Sequence, residues 1–254
     1  MMEKNLLKED LEYFARGEKE NKKFWERLGG KPDFSNKTVL DFGSGHGSMC
    51  IDAIKSGAKK VVGIDIESHN VNFANINILK NFPMYKDKVI FKHVNLLDWK
   101  NLEKFDVIFS KDSFEHTCDL DKVLNEMKNK LNNEGKIYLG FGPLYNFYNG
   151  DHGRTGAILP WFHLIIPENF LIHRINKKRK DKIHSIEELG LNKYSFKKYQ
   201  NIFENCGLEI EYFKINCTNN PIAFLFRILS KIKVLREYCT FNIYCILKKQ
   251  NKST

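Results

Sequence analysis

The stretch VLDFGSGHG, residues 39–47, decides the fold of this 254-residue chain. Its first four residues have the mostly apolar character of a buried strand, and glycines at 43, 45 and 47 follow in a tight turn. Because glycine has no Cβ, such a turn lets the backbone approach a nucleotide-like ligand closely. A strand that runs into a glycine-rich turn and then a helix predicts the first unit of a βαβ fold.

Short apolar runs and helical stretches alternate along most of the chain. The apolar runs lie at 39–42, 61–66, 89–94, 105–110, 136–141, 208–214 and 240–247, and the helical stretches at 46–57, 68–81, 119–132 and 195–205. This alternation is typical of parallel strands joined by right-handed helical crossovers. We therefore predict an α/β fold, a Rossmann-like, seven-stranded, mostly parallel sheet with helices on both faces.

Two segments stand outside this alternation. Residues 5–28 carry apolar side chains at helical spacing and are followed by Gly29 and Gly30, so 1–36 are predicted to be an N-terminal helical segment before a domain over 37–254. Residues 142–194 are irregular and rich in glycine and proline, with a basic run near their end. A long irregular insertion in a compact domain is typical of a functional lid, and we predict an acceptor lid there.

The charge and composition narrow the class of protein. With 42% hydrophobic and 28% charged residues the chain is expected to fold, and its net charge of +10 allows a nucleic acid, a membrane surface or an acidic small molecule as partner. No apolar stretch is long enough to span a bilayer, and no secretory signal is evident at the N-terminus, so a cytoplasmic location is expected. The six cysteines show no paired spacing and are interpreted as reduced thiols.

A basic and apolar stretch, 222–236, is predicted to be one amphipathic helix. It could lie on an anionic membrane surface as a peripheral contact. Packing on the domain, or in a dimer, is the favoured alternative, and the oligomeric state is left open.

A second acidic residue points to the kind of ligand. Asp65 ends the second predicted strand, 24 residues after Asp41, where a carboxylate can accept hydrogen bonds from both hydroxyls of a ribose. The glycine spacing is G-x-G-x-G and differs from the G-x-G-x-x-G of dinucleotide sites. The sequence therefore favours a nucleoside ligand without a pyrophosphate.

Successive motifs between about residues 37 and 142 resemble those of class I S-adenosylmethionine-dependent methyltransferases. The motifs are DFGSGHG at 41–47, GID at 63–65, NLLD at 95–98, FDVIFS at 105–110 and LNNEG at 131–135. The resemblance implies that S-adenosylmethionine is the cofactor and S-adenosylhomocysteine the product.

The same resemblance implies a set of cofactor-binding residues. Gly43, Gly45 and Gly47 would line the methionine and ribose portion, Asp41 would organise the turn and meet the amino group, and Asp65 would bind the ribose hydroxyls. Asn95 stands where the family usually has an aspartate facing adenine, and Asp98 is the competing assignment. The complete predicted set is Asp41, Gly43, Gly45, Gly47, Asp65, Ile66, Asn95, Leu96 and Ser110.

Acceptor-side residues are predicted from two histidine-containing segments. His116 follows the fourth strand and is a candidate general base because histidine titrates near neutral pH. The second segment lies in the predicted lid, where His152 and His163 are candidates for acid–base catalysis. The predicted acceptor-binding residues are Asp151, Arg154 and Trp161. Metal ligation by the histidines and Asp151 is an alternative, but no metal is predicted because neighbouring side chains in a glycine-rich loop are poor evidence of geometry.

The sequence thus predicts O-methylation of a small polar acceptor, anionic or sugar-like. A looser resemblance to bacterial small-molecule and surface-glycan methyltransferases implies a sugar hydroxyl or a phosphate or phosphoramidate oxygen as acceptor, as in capsule polysaccharide biosynthesis. RNA methylation is an alternative that the basic charge suggests, but the loop at 110–116 lacks the Asn/Asp-Pro-Pro-aromatic signature of base N-methylation. A catalytically silent scaffold that binds the cofactor is the other alternative.

Overall fold

One mixed sheet organises the protein. The computed structural model describes residues 6–156, 158–218 and 221–250, and in these residues seven strands pair in the order β3-β2-β1-β4-β5-β7-β6. The strands are β1 Thr38–Phe42, β2 Lys60–Asp65, β3 Val89–His93, β4 Phe105–Lys111, β5 Leu131–Phe141, β6 Glu209–Ile215 and β7 Ile243–Lys248. The predicted Rossmann-like sheet is confirmed.

Strand direction places the ends of five strands together. Strands β1 to β5 pair in parallel, whereas β7 is antiparallel to both β5 and β6. The carboxyl ends of β1 to β5 consequently meet along one side of the sheet, which we call the carboxyl edge. In open α/β sheets this edge is where ligands bind.

Helices cover both faces of the sheet. They are α1 Lys8–Arg27, α2 Ser48–Lys55, α3 Ser68–Asn81, α4 Leu120–Lys130, α5 Phe162–Ile165, α6 Glu168–Asn176, α7 Phe196–Asn205, α8 Pro221–Leu229 and α9 Arg236–Cys239. Because successive strand residues point to opposite faces, Val39 joins the core that α1, α2 and α3 cover, and Leu40 joins the core under α4 and α7. The predicted N-terminal helix therefore packs directly on the sheet.

Two sequence-based boundaries are wrong. Strand β5 begins at Leu131 and not at 136, since residues 131–135 continue the strand beyond a register irregularity opposite Phe105 and Val107. The single helix expected over 222–236 is instead α8 followed by a turn and α9. Ser230 lies at this break: its hydroxyl donates to the carbonyl of Arg227, and it accepts a hydrogen bond from Asn216.

The segment predicted as a lid, 142–194, is mostly irregular and lies beside the carboxyl edge. It contains α5, α6 and a small apolar core formed by Leu171, Ile186 and Leu191. Asn192 fixes its end, because its side-chain amide donates to the carbonyl oxygens of Phe114 and Thr117, just beyond β4.

Candidate functional site

The glycine turn after β1 has a closed side and an open side. All three glycines have positive φ, at 74°, 50° and 84° for Gly43, Gly45 and Gly47. A Cβ on Gly47 would lie 2.6 Å from the ring of Phe91, and one on Gly43 would collide with Ser113, whereas one on Gly45 would meet no atom within 4 Å. Gly43 and Gly47 are therefore required for packing, and Gly45 faces open space at the carboxyl edge.

Asp65 closes this turn from the end of β2. Its Oδ2 accepts from the backbone N–H of Gly45 at 2.7 Å, and its Oδ1 accepts from the N–H of Glu67 at 2.8 Å. An ionised carboxylate has about four lone-pair positions, so acceptor capacity for ribose hydroxyls remains. The neighbouring Ile66 side chain is exposed beside the carboxylate.

Asp41 lies beneath the turn and is 1% exposed. Its Oδ2 accepts a hydrogen bond from the Cys50 thiol at 3.2 Å. Burial, reinforced by the negative charge of Asp65, raises the pKa of Asp41 to about 7, although the bond from Cys50 acts in the opposite direction. The carboxyl group is poised to ionise when a cationic group comes close, as the amino group of a bound cofactor would.

Of the remaining predicted cofactor residues, Asn95 is exposed, whereas Leu96 and Ser110 are buried. Asn95 is exposed after β3, and its side-chain oxygen accepts from the N–H of Leu97 at 3.0 Å, so it shapes a turn. The Leu96 side chain is buried in the core under α4 and leaves only its backbone near the edge. Ser110 is buried, and its hydroxyl donates to the carbonyl of Phe42 at 2.9 Å, which joins the ends of β4 and β1.

These residues fit an adenosyl cofactor. The open side of the turn at Gly45 and the carboxylate of Asp65 lie together, linked by a hydrogen bond. A side chain at position 45 would occupy space that a ligand needs, and an acid at position 65 would meet the sugar.

Asp10 belongs to the same region, although no sequence motif indicates it. From α1 its carboxylate contacts His46 Nε2 at 2.9 Å and His69 Nε2 at 3.1 Å. The hydrogen bond with His46, which outweighs the effect of burial, lowers the pKa of Asp10. The contacts tie α1 to the glycine turn, and only the fold brings these three side chains together, because they are far apart in sequence.

Glu115, His116 and His152 lie together beyond the carboxyl end of β4, where the acceptor is predicted to bind, and we call this part of the carboxyl edge the acceptor side. The two imidazole rings are 4.8 Å apart between centroids. The Nδ1 of His116 donates to the carbonyl of Gly190 at 2.7 Å, and the Nε2 of His152 donates to that of Pro143 at 3.1 Å. Burial, and next the charge of Arg154, lowers the pKa of His116 to about 4, and burial also lowers the pKa of His152.

Glu115 is buried between these histidines and β5. Its Oε1 accepts from the N–H of Gly142 at 3.2 Å, and its Oε2 has no hydrogen-bond partner among the described residues. Burial raises the pKa of Glu115 well above its usual range. The sequence pattern predicts a role for the adjacent His116 but none for the carboxyl group of Glu115.

The other predicted acceptor residues are placed differently. Asp151 is buried and accepts hydrogen bonds from Gly153 and Thr155, so it folds its own loop. The Arg154 guanidinium donates to the carbonyl of Gly190, the same oxygen that His116 contacts. His163 is not part of the histidine pair, because its Nε2 donates to the carbonyl of Tyr145 at 2.7 Å.

Trp161 lies in an aromatic group at the lid. Its ring is 6.0 Å from that of Tyr148 and 6.4 Å from that of Phe226 on α8. These contacts join the predicted lid to α8 at Phe226, whereas Phe224 and Leu225 of the same helix are exposed.

Comparisons with known proteins agree with this architecture. A family described as a methyltransferase domain matches residues 33–140. The ubiquinone biosynthesis O-methyltransferase of Pelagibacter ubique is 33% identical over 123 residues, which are 48% of this chain and 49% of that protein. The ribosomal protein L11 methyltransferase of Aliivibrio salmonicida is 49% identical over 49 residues, 19% of this chain and 17% of that protein. The chain thus spans about half, or less, of the length of these relatives.

Solved structures share the fold over nearly the whole chain. An S-adenosylmethionine-dependent methyltransferase from Mesorhizobium loti has a TM-score of 0.58 at 14% identity, with 89% of this chain and 97% of that one covered. Geranyl diphosphate C-methyltransferase from Streptomyces coelicolor has a TM-score of 0.60 at 16% identity, with 96% and 83% covered. At these identities the likeness is one of fold.

Proposed function

We propose that this chain, whose residues 33–140 are a class I S-adenosylmethionine-dependent methyltransferase domain, methylates an oxygen atom of a small polar acceptor. The observation that carries the proposal is the position of the histidine pair next to the glycine turn. Ser113 donates to the carbonyl of Gly43 at 3.5 Å, and its own carbonyl accepts from the N–H of His116 at 3.0 Å. One short turn therefore connects the cofactor side to the acceptor side.

The chain's own residues hold the cofactor and screen it from water. S-adenosylmethionine supplies a methyl group on a sulfonium centre and leaves as a neutral thioether. Gly43, Gly45 and Gly47 form the turn that receives it, Asp65 accepts from the ribose, and Asp41 meets the amino group. The segment 142–194 covers the acceptor and limits the access of water.

His116 and His152 act on the acceptor in this proposal. Each has one nitrogen bonded to a backbone carbonyl, which leaves the other nitrogen without a proton and with a free lone pair. The acceptor oxygen loses its proton as its bond to the methyl carbon forms, so an uncharged imidazole beside it is suitable. Arg154 adds positive charge for an anionic acceptor, and Asp151 acts through the shape of its loop.

Oxygen is proposed as the methylated atom for two reasons. A relative that matches over 123 residues is named an O-methyltransferase. A sugar hydroxyl or a phosphate or phosphoramidate oxygen, as in a surface-glycan precursor, also suits a net charge of +10 and an arginine at the site.

The test is the transfer of labelled methyl from S-adenosylmethionine into fractionated extract of the source cells. We expect the label in the small-molecule or glycan fraction and its loss with the Asp65→Ala variant. The matched control is Asp87→Ala, because Asp87 is also an exposed acid but precedes β3, at the edge of the sheet opposite the glycine turn.

Two outcomes would replace the proposal. Label in RNA would favour nucleic-acid methylation and give the basic surface the central role. Tight cofactor binding without label in any fraction would favour a silent scaffold.

An anionic membrane surface is the partner proposed for α8 and the turn that follows. Phe224 and Leu225 are 59% and 54% exposed, and Lys231 and Lys233 lie exposed just beyond them. Exposed apolar side chains flanked by lysine are typical of helices that lie in the interface of an anionic bilayer. Among the described residues no helix has the length and apolar character needed to cross a membrane.

Sedimentation with phosphatidylglycerol and phosphatidylcholine vesicles tests this partner. We expect binding to the anionic vesicles only, and weaker binding by the Phe224→Ser, Leu225→Ser double variant. Leu102→Ser is the control, since Leu102 is 93% exposed on a distant loop. Equal loss by both variants would mean that general surface hydrophobicity, and not α8, causes the binding.

A further inference from the structure

Three potential metal-ligating side chains converge at the acceptor side of the carboxyl edge. Glu115, His116 and His152 each offer one donor atom, and these atoms all lie within 4.8 Å of one another. Ligands of a tetrahedral zinc ion at about 2.1 Å are roughly 3.4 Å apart, so side-chain shifts of about 1 Å would complete the geometry.

Both histidines are oriented as metal ligands usually are. A ligating histidine commonly donates its other ring N–H to a backbone carbonyl or a carboxylate, which fixes the tautomer and the direction of the lone pair. His116 does this through Nδ1 to Gly190, and His152 does it through Nε2 to Pro143. The Nε2 of His116 and the Nδ1 of His152 are thereby left as donor atoms.

Glu115 gives an independent indication of a ligand. The residue is only 4% exposed, and its Oε2 has no hydrogen-bond partner in the described part of the chain. A buried carboxylate oxygen without a partner is costly, and a bound cation would remove that cost.

We infer that Glu115, His116 and His152 bind one divalent transition-metal ion. Two imidazoles and one carboxylate suit zinc, iron or cobalt, whereas magnesium and calcium prefer oxygen ligands throughout. Three protein ligands leave coordination positions open, as in metal sites that bind a substrate.

The surrounding charges affect this ion in opposite directions. Arg154 and Asp112 both lie close enough to act electrostatically on Glu115. The positive charge of Arg154 disfavours a cation, and the negative charge of Asp112 favours it.

The ion would act on the acceptor, and this part of the inference rests on the proposed function. An oxygen ligand of the acceptor in an open position would lose its proton to solvent more readily, because a divalent ion lowers the pKa of such a group. Metal binding itself does not depend on methyl transfer and can be measured without it.

A second cluster provides a control within the same protein. Asp10, His46 and His69 also have donor atoms within 4.8 Å of one another. Here, however, the carboxylate is already hydrogen-bonded to the Nε2 of both histidines. The carboxylate of that cluster therefore already has two hydrogen-bond partners, unlike Glu115 Oε2, and we expect no metal there.

Cobalt(II) titration of the untagged, full-length protein after chelator treatment tests the site, with visible absorption as the readout. We expect one equivalent to give the bands of low-coordinate cobalt, and zinc to displace it. Glu115→Gln keeps the acceptor for Gly142 and removes the charge. His152→Asn suits the positive φ of 53°, which asparagine tolerates. Each should weaken cobalt binding at least about tenfold, and His69→Asn should not.

The outcomes separate the metal site from the proposed function. The inference is overturned if the wild-type protein shows no cobalt bands, or if His69→Asn removes them while His152→Asn retains them. Unchanged thermal melting and cofactor affinity in the variants would show that they fold, and His152→Asn decides the matter if Glu115→Gln does not fold. Methyl transfer by a protein that binds no cobalt would leave the proposed function standing with the histidines acting directly.

Discussion

The buried carboxyl group of Asp41 should make the stability of this protein fall as the pH rises from about 4 to just above neutrality. Its pKa is about 7 in the folded chain against 3.8 for the ordinary group, a difference of about 3 units. At 1.36 kcal/mol per unit, the folded state loses about 4 kcal/mol of stability from this one group between pH 4 and pH 8. Asp41→Asn removes the titration and keeps the shape, and the amide oxygen can still accept from the Cys50 thiol.

The sign follows from proton binding. Between pH 4 and pH 7 the folded state holds the Asp41 proton and the unfolded state releases it, so unfolding becomes easier as pH rises. Below pH 4 the proton is bound in both states, and above about pH 8 it is bound in neither.

Urea unfolding of the wild-type protein and Asp41→Asn from pH 4 to pH 8.5 measures the effect. The difference between the unfolding free energies of the variant and the wild type should change in favour of the variant by up to about 4 kcal/mol from pH 4 to pH 8. A difference between the two proteins that stays the same across this range would refute the reasoning.

Asp106→Asn is the control with the opposite sign. Burial acts against ionisation of Asp106, but hydrogen bonds from Thr38 and Asn132 prevail and lower its pKa. Its stabilising contribution is therefore present above pH 4 and lost as the pH falls below the ordinary value. The Asp106→Asn variant should be destabilised near pH 7 and approach the wild type in acid.

Three further outcomes are expected at the glycine turn. Gly47→Ala, whose Cβ would lie 2.6 Å from Phe91, should lower the unfolding free energy by about 2–4 kcal/mol in urea titration, and an unchanged midpoint would contradict the packing argument. In Gly45→Ala the added Cβ would enter open space, so the unfolding free energy should fall only by a backbone strain of about 1–2 kcal/mol. Calorimetry should nevertheless show that cofactor affinity is reduced at least tenfold. Unchanged affinity would mean that the open side of the turn does not face the cofactor. Asp10→Asn should weaken the contacts that hold α1 to the glycine turn and lower cofactor affinity several-fold. Backbone amide hydrogen exchange in residues 8–12 should then be faster than in the wild type. Equal exchange in the two proteins would mean that these contacts do not hold α1 in place.

The order of elements was largely evident from local sequence. The glycines of the turn, the acid at the end of β2 and the alternation of apolar runs with helical stretches predicted the sheet, because strand, turn and helix each depend on neighbouring residues. The same logic failed where packing overrides local pattern, as in the break at Ser230 and the early start of β5 at Leu131.

The acceptor side depended on tertiary structure. The sequence pointed to His116 and His152 separately, but it also grouped them with Asp151 and His163, which fold their own loops instead. Nothing local in the sequence indicates that one oxygen of Glu115 is buried without a hydrogen-bond partner among the described residues.

By itself, then, the sequence determined the fold and the glycine turn, whose residues are contiguous or a single crossover apart. Only the tertiary structure decided which side chains meet across the carboxyl edge: Asp10 with His46, and Glu115 with His116 and His152. The physical reason is that hydrogen bonding and burial between distant segments depend on how the chain closes on itself, and no periodicity in the sequence records that closure.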